Sequence, residues 1–240
     1  MIRAISFDLW FTLIWEKQPE DEELYNELRI GSIVETLRLR GYEVPTGIVR
    51  ELFKNLGGTR MLLSSRELAS IVLSGLGIRY DSELVEELAN AYESSTDNFR
   101  PRENLEARTL LSSLKKMGMK IAVVSNTSFS TRAVVSLLRN VGLANYVDVV
   151  VSSSDVGHVK PQKFIFQVLV SSVGVKPAEI VHVGDSCVED VLGALSSGLR
   201  AIYYTGLLPL RMAEPSPICL NLVPAIESLS ELPKVIQSIK

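Results

Sequence analysis

Cysteine is nearly absent from this 240-residue sequence, with only Cys187 and Cys219 present. Two thiols make neither a disulfide framework nor a metal-ligand spacing. Each is therefore expected to be a reduced, small apolar side chain. Long hydrophobic runs are missing too. No apolar stretch approaches the ~18 residues that cross a bilayer, and the opening residues carry no basic, apolar and small-residue leader. A cytoplasmic protein with no membrane partner is expected. An excess of positive charge is also lacking: 25 Lys and Arg stand against 28 Asp and Glu, for a net charge of −3. Without a basic stripe there is no nucleic-acid footprint. No internal repeat or low-complexity segment occurs.

What is present suits a filled core. Hydrophobic residues make up 46% of a 26.5 kDa chain with mean hydropathy +0.20, enough for one large domain or two modest ones. The charge is unevenly spread. Residues 16–100 hold 16 acids and 10 bases, a net −6, and the remainder carries +3. An acidic segment beside a mildly basic body indicates two parts with different work.

Residues 2–14 read IRAISFDLWFTLI. Their first half is an unbroken apolar run closing on Asp8, as in a strand buried on both faces. A carboxylate at the carboxyl end of such a strand is out of place in a core, but ligands of open α/β sheets bind there. From 21 to 95 the pattern turns helical, with segments at about 21–40, 46–56, 65–76 and 81–95 punctuated by glycines. GGTRMLLSS, residues 57–65, is the least regular loop of this block. From about 103 helices and strands alternate. A helix to 117 precedes the strand 120–124, and a helix over 130–140 precedes the strand 147–151. A helix from 163 precedes the strand 180–183, and the strand 199–204 is followed by a Pro-rich irregular stretch and a last helix from about 225. Alternation of this kind predicts a doubly wound α/β fold, a parallel sheet covered on both faces.

The predicted strands deliver polar clusters to one rim: Asp8 with Thr12, Ser125 with Asn126, Lys160 after its loop, and Asp185 with Asp190. The inventory comprises a carboxylate nucleophile, hydroxyl and amide donors, a fixed cation and further carboxylates. It suits attack by an aspartate on phosphorus or carbon. Asp8 and Asp185 would repel each other unless a cation lay between them, and magnesium is the natural one.

With these motifs in order, the sequence resembles the haloacid dehalogenase superfamily over its whole length. FDLWFTL, VVSN, VGHVKP and VGDSCVEDVLGA are similar to its first to fourth motifs. The resemblance implies a Rossmann-like core over 1–15 and 100–240, with a helical cap inserted over 16–99. It implies that Asp8 attacks the substrate, that Ser125 holds the transferred group, and that Lys160 neutralises it and orients Asp8. Thr12 and Asn126 would join in binding. Asp185 would ligate Mg2+ together with Asp8 and the backbone carbonyl of Trp10, supported by Asp190. In the cap, Arg60 and Arg66 are candidate readers of a small phosphorylated substrate's far end. The bland alternative for both is a surface salt bridge.

One departure matters. Phosphatases of this superfamily carry a second Asp two residues after the nucleophile as general acid and base, and here that position is Trp10. A positioned acid contributes on the order of 10² to 10⁴ in rate. Its absence favours leaving groups that depart unprotonated, or a 2-haloacid dehalogenase using Asp8 without metal. Yet Asp185 keeps the metal carboxylate that those dehalogenases lack. Three readings stand: a magnesium-dependent phosphohydrolase, a dehalogenase, and a scaffold that kept the fold and lost turnover. A phosphonatase would need a cap lysine, and the segment offers only Lys17 and Lys54. Of the two histidines, His182 is expected as a packed, hydrogen-bonded strand residue and His158 as a solvated loop residue.

Overall fold

A computed structural model describes residues 1–16 and 19–239, with the side chains of 19–22 also outside the description. Lys17, the first of the two lysines considered for a Schiff base, lies outside the described residues. The chain begins with β1 (Ala4–Phe7), followed by β2 (Ile14–Trp15) and four helices. These are α1 (Pro19–Leu39), α2 (Thr46–Leu56), α3 (Ser65–Gly75) and α4 (Ser82–Ser94). The remaining strands are β3 (Arg102–Glu103), β4 (Lys120–Ser125), β5 (Val149–Ser152), β6 (Ile180–Gly184), β7 (Arg200–Tyr204) and β8 (Ala225–Ile226).

Six strands form one parallel sheet in the order β5-β4-β1-β6-β7-β8. The chain winds outward from β1 to β5, then crosses back to lay β6 on the other side of β1. The reversal puts a crevice beyond the carboxyl ends of β1 and β6. The strands are apolar on both faces. Ile5, Phe7, Ile121, Val123, Val181 and Val183 pack against helices Ala107–Lys116, Thr131–Asn140 and Leu232–Ser238. Ala4, Ala122, Val124, Ile180 and Ala201 pack against helix Lys163–Val173 and its neighbours.

The helices α1–α4 share the first of these cores, through Tyr25, Phe53 and Tyr92 among others. An aromatic column joins them to the sheet. Tyr25 stacks on Phe99 with centroids 3.8 Å apart, Tyr92 stacks on Phe129 at 4.7 Å, and Tyr25 meets Trp10 at 6.4 Å. The buried Glu93 bridges the same boundary, accepting hydrogen bonds from Ser65 Oγ (2.8 Å) and Ser130 Oγ (2.6 Å). Where the chain leaves and re-enters the sheet, β2 and β3 pair antiparallel. Asn104 ties that crossing to the sheet, its Nδ2 donating to the Thr12 carbonyl (3.0 Å) and to Tyr204 Oη (2.9 Å).

Four expectations are corrected. Residue 225 opens an edge strand, not the last helix, which runs over Leu232–Ser238. Two residues are too few to show alternation, and β8 is held by Tyr203 donating to the Pro224 carbonyl and Thr205 to the Ile226 carbonyl. The Pro-rich stretch holds a 3₁₀ turn, Leu208–Arg211, and a short helix, Pro217–Leu222. GGTRMLLSS is not irregular but a 3₁₀ turn over Gly57–Leu62 followed by a capping box in which Ser64 and Glu67 exchange hydrogen bonds. The two cysteines are not reduced: Cys187 and Cys219 form a disulfide with Cα atoms 5.8 Å apart. Sequence spacing did not suggest the pairing, because the fold brings the turn after β6 against helix Pro217–Leu222. Among the described residues no helix is long and apolar enough to cross a membrane.

A candidate active site at the carboxyl edge of the sheet

Register assembles the site. Phe7 lies opposite Val123 on one side and Val183 on the other, so Asp8, Asp185 and Asn126 follow within one, two and three residues of a common register. The turn after Asp8 is tight. Leu13 and Ile14 both donate to the Leu9 carbonyl, and Phe11 adopts φ 56°. A bulky residue in the left-handed region costs on the order of 1–3 kcal/mol and is tolerated where the surroundings enforce it. Here the Arg211 guanidinium lies over the Phe11 ring, 5.0 Å from its centroid.

Lys160 is the centre of the charge network. Buried to 2% exposure, its Nζ donates to Asp8 Oδ1 and to Asp190 Oδ1, each at 2.6 Å. Asp190 also faces His182 Nε2 at 3.0 Å and accepts from the Ser186 N–H at 2.9 Å. The other ring nitrogen of His182 meets Ser6 Oγ at 2.8 Å. His182 is thus packed and hydrogen-bonded between Ser6 of β1 and Asp190 of the following turn, whereas His158 lies in its loop against Phe164 and Gln162. Gly184 must be glycine, because a Cβ there would stand 2.2 Å from Asp190 Cγ. The turn that follows is π-helical over Cys187–Leu192, a form that concentrates at functional sites.

The electrostatics follow from burial. Burial raises the Asp8 carboxyl well above its usual range, and Asp190 and Asp185 push the same way, against the attraction of Lys160. Burial also lifts Asp185 to about 6, helped by Asp190 and opposed by Arg211. For Asp190 burial is overcome by Lys160 and His182, which hold it well below the usual range. Burial would lower Lys160, but its two carboxylates outweigh that and raise it. Burial depresses His182, leaving a neutral imidazole at neutral pH. The net picture is an ionised Lys160–Asp190 pair beside two carboxylates short of positive charge.

Those carboxylates have the makings of a cation site. Asp8, Asp185 and Asp190 each offer an oxygen, and the three lie within 4.8 Å of one another. An all-oxygen donor set with under-compensated charge fits a hard divalent ion. Asp190 is already committed to Lys160 and His182, so Asp8 and Asp185 are the oxygens left to such an ion, and the Trp10 carbonyl belongs to the same loop as Asp8. Arg211 contests the site, donating to Asp185 Oδ2 at 2.6 Å.

A cleft of about 460 Å³ opens above these groups, lined by Asp8, Trp10, Phe11 and Asp185 from the sheet side and by Arg29, Arg60 and Met61 from the helical side. The expected residues divide. Asn126 lines the cleft, but its side chain mainly fixes Lys160: its Oδ1 accepts from the Lys160 N–H (2.7 Å) and its Nδ2 donates to the Lys160 carbonyl (3.0 Å). Ser125 and Thr12 are wholly buried behind the lining, and both hydroxyls lack a hydrogen-bond partner. Arg60 lines the cleft, donating through Nε to the Gly57 carbonyl at 3.1 Å. Arg66 does not; it is ion-paired with Glu86 away from the cleft. Lys54, the other lysine considered, lines a separate hollow with Arg50 and sits within 3.9 Å of Glu51. Two arginines the sequence reading passed over, Arg29 and Arg211, line the cleft. Arg211 lay in the stretch read as irregular, and Arg29 in a helix read only for its apolar spacing.

A family model described as "Hydrolase: haloacid dehalogenase-like hydrolase" matches residues 2–198. The "Haloacid dehalogenase-like hydrolase domain-containing protein 3" of Mus musculus is 29% identical over 217 residues, covering 88% of this chain and 85% of its own. A phosphoserine phosphatase of Thermus thermophilus is 32% identical over 132 residues, 53% of this chain and 50% of its own. Among solved structures, a 2-haloacid dehalogenase from Pseudomonas syringae superposes with a TM-score of 0.67 at 23% identity, covering 99% of both chains. At that identity the superposition speaks for the fold.

Proposed function

The chain belongs to the haloacid dehalogenase-like hydrolases, and from that premise we propose that it is a magnesium-dependent phosphohydrolase acting on a small phosphorylated metabolite. The observation that carries the reading is the carboxylate cluster: Asp185 stands beside Asp8, their charge under-compensated, where dehalogenation by Asp8 alone would need no second acid. The phosphoserine phosphatase among the relatives supports it. In this reading residues 1–15 and 100–240 are the catalytic core, and 16–99 are the cap that closes over the cleft.

Magnesium bound by Asp8, Asp185 and the Trp10 carbonyl would supply positive charge for the transferring phosphoryl group. The rest falls to the chain. Lys160 holds Asp8 Oδ1, which leaves Oδ2 to attack phosphorus, forming an aspartyl phosphate as the bond to the leaving oxygen breaks. The Lys160 ammonium also counters charge building on the phosphoryl oxygens. Ser125, with its unpartnered hydroxyl, is the donor proposed to hold the transferred group once the cleft opens to it. Asp190 and His182 fix Lys160 from behind. Water then attacks phosphorus and releases Asp8 with inorganic phosphate.

Trp10 favours a second reading, 2-haloacid dehalogenation, because a halide leaves without a proton. A panel of acyl, aryl and alkyl phosphates, run with magnesium and with chelator beside a panel of 2-haloacids, separates the two. The proposal expects phosphate release that needs magnesium. Halide release that persists in chelator would overturn it.

A further inference from the structure

The cleft has a second charged feature, away from the carboxylates. Arg29 sits on α1 and is only 7% exposed, yet it lines the cleft opposite Asp8 and Asp185. Its Nη2 donates to Asn26 Oδ1 at 2.5 Å, and its Cζ lies 4.1 Å from the centroid of the Tyr25 ring. Its Nε is buried without any hydrogen-bond partner. Its recorded partners are an amide oxygen and a ring face, and neither carries a negative charge. Buried arginines are ordinarily paired, because an isolated ion loses far more hydration than one neutral hydrogen bond and a ring face return. The buried charges at the sheet edge are paired by contrast: Lys160 has two carboxylates and Asp185 has Arg211.

We infer that Arg29 is the receptor for a second anionic group on the substrate, a carboxylate or a second phosphate at the end away from the transferred phosphoryl. The inference rests on the phosphohydrolase reading for the identity of the first group. Three features of the cleft converge on it. The guanidinium rests against the Tyr25 ring and keeps a buried Nε donor unused, and a guanidinium is the side chain that binds carboxylate and phosphate side-on. Tyr25 also meets Trp10, so the arginine lies one aromatic ring beyond the nucleophile's own loop. A cleft of about 460 Å³ holds a molecule of a few carbons with a charge at each end. Lys160 and any ion held by Asp8 and Asp185 receive one end, and Arg29 the other.

Three aryl phosphates test this: phenyl phosphate, 4-carboxyphenyl phosphate and 1,4-phenylene bisphosphate. Hydrolysis rates are measured for each, and binding to the unmodified protein is measured by calorimetry. The expected result is a preference for one or both doubly anionic compounds of about tenfold to a hundredfold, the worth of a charge-assisted hydrogen bond. Which of the two is preferred identifies the anion. In Arg29→Gln that ratio should collapse toward one, and Arg29→Lys should restore part of it. The wild-type ratio stands even if Arg29→Gln fails to fold. Equal handling of all three by the wild type, or a ratio that survives Arg29→Gln in a folded protein, overturns the inference. If no phosphate is released but the doubly anionic compounds still bind more tightly through Arg29, the phosphohydrolase reading falls and the anion site stands.

Discussion

The charged network at the rim of the sheet and the aromatic wall facing it are built on different rules. At the rim, Lys160, Asp190 and His182 satisfy one another at 2.6–3.0 Å, and glycine is required at 184 so that Asp190 can come close. Across the cleft the wall is an aromatic column, Tyr25, Phe99, Phe129 and Tyr92, with polar atoms left over: the Tyr25 hydroxyl and Arg29 Nε have no partner. A network whose members are all paired is rigid and tolerates little change. A stacked apolar wall with a spare donor can receive different molecules without being rebuilt. On the function proposed above, the rim carries the chemistry and the wall the choice of substrate.

Breaking the rim should have the largest effect. Lys160→Met removes the cation shared by Asp8 and Asp190 and leaves two buried carboxylates uncompensated. Stability should fall by about 3–5 kcal/mol, and turnover of whatever folds should drop by at least about a hundredfold. Chemical denaturation and steady-state rates measure both. A variant of near-native stability would mean the carboxylates are already neutral.

Arg211 lies at the rim, over Phe11 and against Asp185, and its removal sharpens the comparison. Its guanidinium occupies Asp185 Oδ2. Arg211→Gln should therefore tighten magnesium binding by several-fold up to about tenfold, read by calorimetry without any substrate. Weaker binding would make Arg211 a partner of the ion instead of its competitor.

The smallest effect belongs outside both regions. Asp148 accepts from Lys115 Nζ (2.6 Å) and from the Ile121 N–H (2.8 Å), and these outweigh its partial burial to lower its pKa. A lowered folded pKa adds stability that is fully present above the ordinary carboxylate value and is lost as pH falls below it, through the lowered folded pKa. Asp148→Asn should cost less than about 1 kcal/mol at pH 7. Its deficit against the wild type should close as the medium is acidified below pH 4. A deficit that held constant to low pH would show that the charge is not what matters.

Much of the rim was legible because its residues follow apolar runs at strand ends. The run closing on Asp8, the VVSN turn and the VGDS turn each declare a strand and a polar tip, and a parallel sheet can only gather them on one edge. The wall was harder to read. Arg29 differs from any helix-surface arginine only in what covers it, and burial is settled by the packing of α1 against α4 and the sheet. Arg66, equally plausible from composition, turns out to face Glu86. The Cys187–Cys219 bond and the two-residue strand β8 escaped for a related reason: each depends on chain segments meeting across the fold, and neither carries a local pattern.

The central claim, that phosphoryl groups pass through Asp8 in a site lacking the usual acid at Trp10, is tested most directly by trapping the intermediate. Acetyl phosphate or 4-nitrophenyl phosphate is mixed with the protein and magnesium, quenched within the first turnover, and the peptide bearing Asp8 is weighed by mass spectrometry. With no carboxylate at position 10 to activate water, dephosphorylation should be slow. A phosphoryl group should then accumulate on Asp8 alongside a burst of released leaving group, and Trp10→Asp should shorten its lifetime. An Asp8 peptide that never gains the phosphoryl mass while phosphate is released would contradict the account.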